Sequence, residues 1–428
     1  MSNLNTPALT NKKILVSGAS AAGPALAYWL DRYGFDATIV ERHPTIRPGG
    51  YAIDVRGSAI HISQKMGILE DLQAADTKLE EIAFYDDDDK LVASMDRNFG
   101  AGGGIAGDLE VLRDDLARIL YNKIKNKVTF KFGNSIAKLT ENTDGMEVEF
   151  ESGEKERYDL VIGADGTHSN VRHLVFGEES QFAHFWNRYI SVFTIPNYRG
   201  LYRKWDWHMR PGFFGGIQQY GDNNETRGIF LMAGEFETFD SRDISEQKAM
   251  VRRLMSDKMA WEIPRLLDEM DKASDFYFDS ASQIKMPTWS KGRVSLVGDA
   301  AAGPTAFTGQ GTSAAMVMAY VLAGELAEAR GDYKTAFKRY EEVARPFADM
   351  NQNIIWQGKE TQIPNSWDEV REQLAGIDLM KAGTPTLKVP LPTSCKPRRT
   401  HSIRRTIHAS MSDSTTTFPS ERRLPAPE

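Results

Sequence analysis

Apolar and polar positions near the start of the chain follow a pattern that predicts two strands around one helix. Residues 13–17 read KILVS, residues 18–23 read GASAAG, and a mostly apolar stretch then continues to Leu30. A second apolar run, DATIV, follows at residues 36–40. Short apolar runs bounded by glycine are typical of buried parallel strands, and the longer stretch between them has the length of a helix. The pattern therefore predicts a strand–turn–helix–strand unit.

The middle of the chain has a strand-like pattern. Aromatic and β-branched residues alternate with others in YISVFTIP, FFGGIQQY and TRGIFLMAGEF, which begin at Tyr189, Phe213 and Thr226. Such alternation predicts strands of a sheet.

Other segments have a helical pattern. Residues 110–124 place apolar side chains at helical spacing, and residues 245–270 are charged with interspersed apolar positions. Residues 312–329 predict a long helix, and residues 332–355 predict a further pair of helices.

These patterns divide the chain into five regions. In order, they are the first part of an α/β domain, a mostly antiparallel sheet domain that takes some strands from the first region, the second part of the α/β domain, a C-terminal helix and a basic tail. The predicted bounds are 1–175, 176–284, 285–345, 346–383 and 384–428.

Composition narrows the class of protein. Of 428 residues, 41% are hydrophobic and 26% are charged, which is ordinary for a water-soluble globular protein. The net charge of −7 argues against nucleic-acid binding, and a single cysteine, Cys395, excludes a disulfide framework. We expect a cytoplasmic protein that is a monomer or a weak dimer. The histidines lack metal-site spacing, so we predict no metal.

Neither end of the chain suggests a membrane anchor. Residues 14–30 are uncharged, but they contain Gly18 and Pro24 and divide into strand, turn and helix. The tail after residue 384 has eight Lys and Arg against three acidic residues, a net of +5, and shows no helix or strand period. We expect this tail to be disordered.

The glycine turn has the spacing of a dinucleotide-binding motif. Gly18 and Gly23 occupy the first and third glycine positions of G-x-G-x-x-G, and Ser20 replaces the second. A pyrophosphate would then lie against the turn and the beginning of the helix, at Ala21 and Ala22. An acid at the end of the second strand, Glu41, is placed to accept hydrogen bonds from an adenosine ribose.

Two later segments repeat the order of strand, glycine and acid. One is DLVIGADG, which ends at Asp165 and Gly166, and the other is RVSLVGDAA, in which Asp299 follows the strand. The second continues through Pro304 to the triplet Gly309, Gln310 and Gly311 and then into the long helix. Together with the first turn, these segments form a specific set, and the acid at Glu41 favours FAD or NAD over NADP as the resident nucleotide.

This set of three motifs resembles the class A flavoprotein monooxygenases, the group of p-hydroxybenzoate hydroxylase. Several segments, among them AGPALAYWLDRYGF and GYAIDVRGSA, are similar to the tetracycline-inactivating flavin monooxygenases. The resemblance covers about residues 12–380 and implies an α/β fold, with a Rossmann-like FAD-binding domain of the GR2 type, an interleaved sheet domain for the substrate and C-terminal helices.

The resemblance also implies roles for individual residues. Arg113 would reach the flavin side of the site, and Asp165 and Gly166 would serve both FAD and a transient NADPH or NADH. The cofactor-binding residues so expected are Gly18, Ser20, Ala21, Ala22, Gly23, Glu41, Arg42, Arg113, Asp165, Gly166, Asp299, Pro304, Gly309, Gln310 and Gly311.

The activity implied is hydroxylation of an electron-rich aromatic or enolic polycyclic molecule, through a flavin C4a-hydroperoxide formed from O₂. FAD carries this chemistry, so no side chain is assigned as a general base; His61 and His168 are considered and left unassigned. The expected substrate wall consists of Phe193, Phe214, Gln218, Phe230, Met232 and Phe307.

Three alternatives remain open from the residues alone. The segment MAWEIP at residues 259–264 matches half of a halogenase signature. A reductase or epoxidase of the same fold would carry the same three motifs. A flavin- or ligand-binding protein without turnover would also retain them.

Overall fold

The computed structural model describes residues 8–96, 108–222, 225–240, 243–354 and 363–381. The tail predicted at 384–428 lies outside the described residues. The helices of the described part are α1 (Ala22–Arg32), α2 (Ser58–Met66), α3 (Leu69–Ala74), α4 (Arg113–Ile124), α5 (Asn170–Phe176), α6 (Ile244–Leu254), α7 (Ile263–Lys272), α8 (Asp299–Ala302), α9 (Gly311–Glu328), α10 (Tyr333–Asn353) and α11 (Trp367–Lys381).

The strands form four sheets. Their bounds are β1 (Lys13–Ser17), β2 (Asp36–Glu41), β3 (Ala52–Val55), β4 (Glu81–Tyr85), β5 (Leu91–Asp96), β6 (Leu109–Leu112), β7 (Thr129–Phe132), β8 (Ile136–Asn142), β9 (Gly145–Phe150), β10 (Lys155–Tyr158), β11 (Leu160–Gly163), β12 (Ala183–Thr194), β13 (Lys204–Arg210), β14 (Phe213–Tyr220), β15 (Glu225–Ala233), β16 (Tyr277–Ile284), β17 (Ser290–Lys291) and β18 (Val294–Leu296).

A six-stranded sheet carries the three motifs found in the sequence. Its strand order is β17-β18-β11-β1-β2-β7, and all pairs except β17–β18 are parallel. In β1, Ile14, Leu15 and Val16 are all fully buried, in a core that the sheet shares with α1, α9 and the three-stranded sheet β10-β9-β8. The carboxyl ends of β1, β11 and β18 are adjacent, so the segments that follow these strands meet at one edge.

The turn after β1 depends on two glycines. Gly18 has φ of 107°, which a side chain would strain. A Cβ added to Gly23, in the first turn of α1, would lie 1.9 Å from the carbonyl oxygen of Gly18. The helix can therefore pack closely against its own turn only when residue 23 has no side chain.

A seven-stranded sheet forms the second layer, in the order β16-β12-β15-β14-β13-β4-β5. Its pairs are antiparallel except β13–β4, and its strands β4 and β5 come from the first 100 residues of the chain. One face is covered by α6 and α7, through Met250, Leu266 and Met270 among others. We call this the helix face. The opposite face packs against Leu112 of β6 and against Tyr51 and Ala52 of the nucleotide domain. We call this the cleft face.

The helical stretch predicted at residues 245–270 is divided between two helices, α6 and α7. One helix prediction differs from the structure. Residues 332–355 form the single helix α10, with Pro346 inside it. A proline within a helix costs about 3 kcal/mol. Burial of Tyr340 and Ala344 before Pro346, and of Phe347 after it, on the same nucleotide-domain core offsets that cost.

The C-terminal helix expected at 346–383 is also different. Its first part belongs to α10, which ends at Asn353, and its second part is the separate helix α11. Within the described ranges, no helix combines the length and the apolar character that crossing a membrane requires.

The close packing at Gly23 leads to a stability prediction. We expect Gly23→Ala to destabilise the protein by at least 3 kcal/mol, at or above the upper end of about 1–3 kcal/mol for overpacked positions, because the new methyl would overlap a backbone oxygen that cannot move away. Chemical denaturation of the FAD-free protein would measure this.

The matched control is Gly376→Ala, in α11, where nothing lies within 4 Å of the added Cβ. This variant should be neutral or more stable by up to about 1 kcal/mol, since alanine favours helix. Equal effects of the two substitutions would contradict the steric argument.

Candidate active site

The three motifs come together at the shared edge of the six-stranded sheet. A Cβ on Gly18 would lie 2.4 Å from the carbonyl oxygen of Ala164, which precedes Asp165. A Cβ on Gly298, which precedes Asp299, would lie 3.0 Å from the Cβ of Ala22 in α1. Segments far apart in the chain are thus in van der Waals contact around the beginning of α1.

The N-termini of α1 and α9 both lack a capping side chain among the described residues, and neither has an acidic residue in its first turn. Their first backbone N–H groups therefore keep their hydrogen-bonding capacity, and the helix dipole adds a partial positive charge. Two such ends in one site suit a ligand that carries negative charge at two places. A dinucleotide such as FAD, with its pyrophosphate and its flavin ring, meets that requirement.

Glu41 supports the glycine turn directly. Its Oε2 accepts a hydrogen bond from the backbone N–H of Ala19 at 2.8 Å, and its Oε1 accepts one from His43 at 2.8 Å. The carboxylate is half-buried beside the turn, where each oxygen retains a lone pair for a ribose hydroxyl. Its neighbour Arg42 is exposed, and Ser20 and Ala21 are half-buried in the turn.

Asp165 bonds mainly to the protein itself. Its carboxylate accepts hydrogen bonds from Ser17 Oγ at 3.3 Å, Ser169 Oγ at 2.5 Å and the backbone N–H of Val171 at 3.1 Å. Burial raises the pKa of Asp165, against the lowering effect of these bonds. The side chain therefore joins the end of β1 to the start of α5, and the part of the motif open to a ligand is Gly166, beside which no atom lies within 4 Å of an added Cβ.

Asp299, unlike Asp165, has a side-chain oxygen that is not bonded to the described part of the protein. It is the first residue of α8, and its buried Oδ1 has no hydrogen-bond partner in the described part of the chain. Burial, and after it the charge of Asp279, raises the pKa of Asp299 to about 6. A buried carboxylate oxygen without a partner is costly, so the structure calls for a ligand hydroxyl there, as the ribityl chain of FAD would supply. The carboxylate acceptors of Glu41 and Asp299, together with the N-termini of α1 and α9, therefore fit FAD.

The loop from Pro304 to Gly311 leads from Asp299 to α9. Within it, Thr305 has φ of 75° and ψ of 149°, a strained conformation that costs about 1–3 kcal/mol. Its buried Oγ1 also has no partner among the described residues. Phe307 is half-buried in a short 3₁₀ turn, Ala306–Thr308. Strain and an unpaired hydroxyl in one loop are typical of a ligand-contacting segment.

Arg113 begins α4 and reaches the segment before β3. Its guanidinium donates to the carbonyl oxygen of Gly49 at 3.2 Å, and its backbone N–H donates to that of Tyr51 at 3.2 Å. The Tyr51 ring lies 5.4 Å from the ring of Tyr277 in β16, so this segment connects α4 to the seven-stranded sheet.

The predicted substrate wall is corrected for three of its residues. Phe193, Phe230 and Met232 are fully buried on the helix face, packed beneath α6 and α7. Successive residues of a strand point to opposite faces, and these three share the parity that points away from the nucleotide domain. Phe214 and Gln218, in β14, have the other parity and lie on the cleft face with Tyr220.

Sequence reasoning missed most of the cleft face. Its additional residues are Ile190, Val192, Trp205, Trp207, Tyr220, Ile229 and Leu231, with Tyr51 and Tyr277 at its border. It also missed Arg227, which is buried and donates from Nε to the carbonyl oxygen of Gly50 at 3.3 Å. Arg227 of β15 lies opposite Gln218 of β14 in the register of these two strands. The sequence of either strand alone does not indicate this pairing.

His168 is not available as a base at neutral pH. Its Nε2 lies 3.1 Å from Asp279 and its Nδ1 lies 2.9 Å from Glu179. Burial lowers the pKa of His168, but the hydrogen bonds to the two carboxylates outweigh burial and raise it to about 10. The imidazolium therefore links the loop after β11 to β16, which is a structural role.

The segment that suggested a halogenase lies away from the site. Trp261 packs on the helix face, where its ring stacks on His208 with centroids 5.6 Å apart and its indole N–H donates to Asp89 at 2.8 Å.

A surface groove of about 1000 Å³ runs along α10 and is lined by Tyr333, Phe337 and Arg345 among others. None of the residues of the three nucleotide motifs lines this groove.

Comparisons with known proteins agree with this arrangement. The family model described as "FAD binding domain" matches residues 11–353. A protein of Legionella longbeachae named "Flavin-dependent monooxygenase" is 40% identical over 372 residues, which cover 85% of this chain and 92% of that protein. The crystal structures of two tetracycline destructases are similar in both sequence and fold. Tet(51) has a TM-score of 0.77 and 34% identity over 89% of this chain and 99% of that one. For Tet(55) the TM-score is 0.75 and the identity 37%, over 89% of this chain and 98% of that one.

The unpaired carboxylate of Asp299 predicts a pH effect on the FAD-free protein. Because its pKa is raised above the value of about 4 in an unfolded chain, folding favours the protonated form, and stability falls as pH rises from about 4 to 6. Asp299→Asn removes this penalty. We expect the FAD-free variant to be more stable than the wild type above pH 6, by up to about 2–3 kcal/mol, and equal to it below pH 4.

The same substitution should weaken FAD binding by about tenfold or more, because an amide replaces the charged acceptor. Urea unfolding across pH and titration of FAD fluorescence would measure the two effects. Asp349→Asn, at an exposed position of α10, is the control that should change neither. If FAD affinity stayed at the wild-type value, Asp299 would not be a cofactor ligand.

Proposed function

The chain belongs to the FAD-binding-domain family of flavin-dependent monooxygenases, and from that premise we propose that it uses NADPH or NADH and O₂ to hydroxylate an electron-rich polycyclic phenol or enol of the tetracycline type. The family makes the chain an FAD-dependent monooxygenase. Membership of the family does not specify the nicotinamide co-substrate or the substrate class, and both belong to the proposal.

The observation that carries the substrate class is the likeness to the two tetracycline destructases across both layers of the molecule. The proposed substrate site lies between the nucleotide domain and the seven-stranded sheet, so a relative that shares only the nucleotide domain would say little about it. Here the similarity extends over the sheet as well, at identities above 30%.

The cleft face has side chains that suit such a substrate. Trp207 and Phe214 are in edge contact, with centroids 5.9 Å apart, and Tyr51 and Tyr277 border the same face. Flat aromatic walls bury fused rings effectively, and a few polar groups then fix their orientation. Arg227 and Gln218 are the polar pair on this face, and a guanidinium would favour the ionised form of an enol or phenol.

FAD, when bound, supplies the transfer of electrons from the nicotinamide and the activation of O₂. The chain supplies the surroundings. Asp299 and Glu41 hold hydroxyl groups of the cofactor, and the N-terminus of α9 stabilises negative charge on its ring system. The aromatic cleft face excludes water from the reacting groups, which limits side reactions.

The substrate proposal predicts a visible reaction. With the FAD-loaded protein, NADPH and air, tetracycline should lose its long-wavelength absorbance while NADPH is consumed. Omission of NADPH, or of oxygen, should prevent the loss. If several tetracyclines remain unchanged while flavin is still reduced by the nicotinamide, the substrate class is wrong. If neither NADPH nor NADH reduces the flavin, the proposed co-substrate is wrong.

A matched pair of phenylalanines tests which face of the sheet binds substrate. Phe214→Ala, on the cleft face, should lower kcat/KM by about 3- to 10-fold, which corresponds to the free energy that one aromatic contact contributes to binding. The free energy of unfolding should fall only slightly. Phe230→Ala, on the helix face, should cost about 3–5 kcal/mol of unfolding free energy and leave KM unchanged at a temperature where the variant is folded. The reverse result would place the substrate on the helix face.

A further inference from the structure

The turn formed by residues 303–305 connects α8 to the loop that precedes α9. Its last residue, Thr305, has the strained backbone described above, with φ of 75°. A residue other than glycine keeps such a conformation only where its surroundings hold it in place. The 303–305 turn therefore depends on the groups that bind its carbonyl oxygens.

One of these groups is the side chain of Gln283, in β16. It is fully buried, and its Nε2 donates to the carbonyl oxygen of Pro304 at 3.3 Å and to that of Gln352 at 2.7 Å. The bond to Pro304 acts on the peptide group that immediately precedes the strained residue.

The other group is the side chain of Gln352, near the end of α10. Its Nε2 donates to the carbonyl oxygen of Gly303 at 3.2 Å and to that of Ile284 at 2.8 Å. The backbone N–H of Ile284 also donates to Gly303 at 3.0 Å. Each glutamine thus donates one hydrogen bond to the turn and one to the backbone of the element that carries the other glutamine. The turn is therefore held by both β16 and α10. We call this pair of side chains the glutamine clamp.

The clamp acts on the part of the loop that borders the cofactor site. Asp299, with its unpaired Oδ1, lies one short helix before the turn, and Phe307 and the N-terminus of α9 follow it. The Oγ1 of Thr305 and the Oε1 of Gln283 are both buried without a partner in the described ranges. Backbone strain and unpaired buried polar atoms both destabilise the folded protein, so a turn with only a structural role is not expected to contain them.

We propose that Gln283 and Gln352 are positioning residues that hold the 303–305 turn beside the bound flavin, so that reduction and oxygen transfer stay coupled. The proposal rests on the proposed use of NAD(P)H and O₂. Without the clamp the turn shifts, and NAD(P)H, a proton and O₂ yield the oxidised nucleotide and hydrogen peroxide. With the clamp the same inputs together with the substrate yield the oxidised nucleotide, hydroxylated substrate and water. Displacements of about 1 Å in an active site are enough to change a rate by about 100-fold.

The test compares Gln352→Leu and Gln283→Leu with the wild type, each loaded with FAD. We expect FAD to remain bound, a shifted flavin absorption band and reduction potential, and a fraction of NAD(P)H electrons released as peroxide that rises by about threefold or more. Gln352→Met, with an unbranched side chain of similar length, replaces Gln352→Leu if the branched side chain prevents folding.

The matched control is Gln247→Leu, in α6. Gln247 is also buried, and its Nε2 donates to a backbone carbonyl oxygen, that of Asp240 at 2.8 Å, but it lies on the helix-face layer. This variant should lose stability as the clamp variants do, because each loses a buried amide donor. It should keep the wild-type flavin band, potential and peroxide fraction.

Two results would overturn the proposal. One is a wild-type flavin band, potential and peroxide fraction in both clamp variants. The other is the same change in the Gln247 variant, which would make the effect one of general stability. If the wild type itself oxidised neither NADPH nor NADH, the proposed function would fail, while the band and the potential of bound FAD would still decide the role of the clamp.

Discussion

Three parallel strands, β1, β11 and β18, end side by side at one edge of the six-stranded sheet, and the functional parts of the molecule depend on that shared edge. Parallel strands all end at the same edge of a sheet. The segments that follow Ser17, Gly163 and Leu296 therefore lie next to one another because their strands are neighbours. Contacts as short as those of Gly18 with Ala164 leave little freedom in how they meet. The cofactor site is a consequence of this arrangement.

The acidic residues of the site show how position decides role. Asp165 and Asp299 follow neighbouring strands in similar sequence contexts, yet Asp165 is bound by two hydroxyl groups and a backbone N–H, while Asp299 keeps an oxygen without a partner. The first stabilises the loop after β11. The oxygen of Asp299 can accept a hydrogen bond from a ligand, and burial together with the charge of Asp279 raises the pKa of this carboxyl group.

The second sheet is connected to the site by polar contacts that cross from layer to layer. His168, protonated between Asp279 and Glu179, joins the loop after β11 to β16. Arg227 reaches Gly50, and the two glutamines grip the turn after α8. Arg227 and the two glutamines are buried, where a hydrogen bond is stronger and a missing partner costs more than in water. The seven-stranded sheet is therefore held in a defined position relative to the nucleotide domain.

The sequence by itself determined the nucleotide unit, because a buried strand, a glycine turn and a terminal acid are local signals with local physical causes. It also identified Asp299 and the loop to Gly311 through the same order of residues. It could not decide which of Phe230 and Leu231 faces the cleft, since both are apolar and strand parity depends on the layer each side meets. Nor could it show that α10 continues past Pro346, or that Gln283 and Gln352 share a turn. Those outcomes depend on packing and hydrogen bonds between residues distant in the chain, which only the tertiary structure brings together.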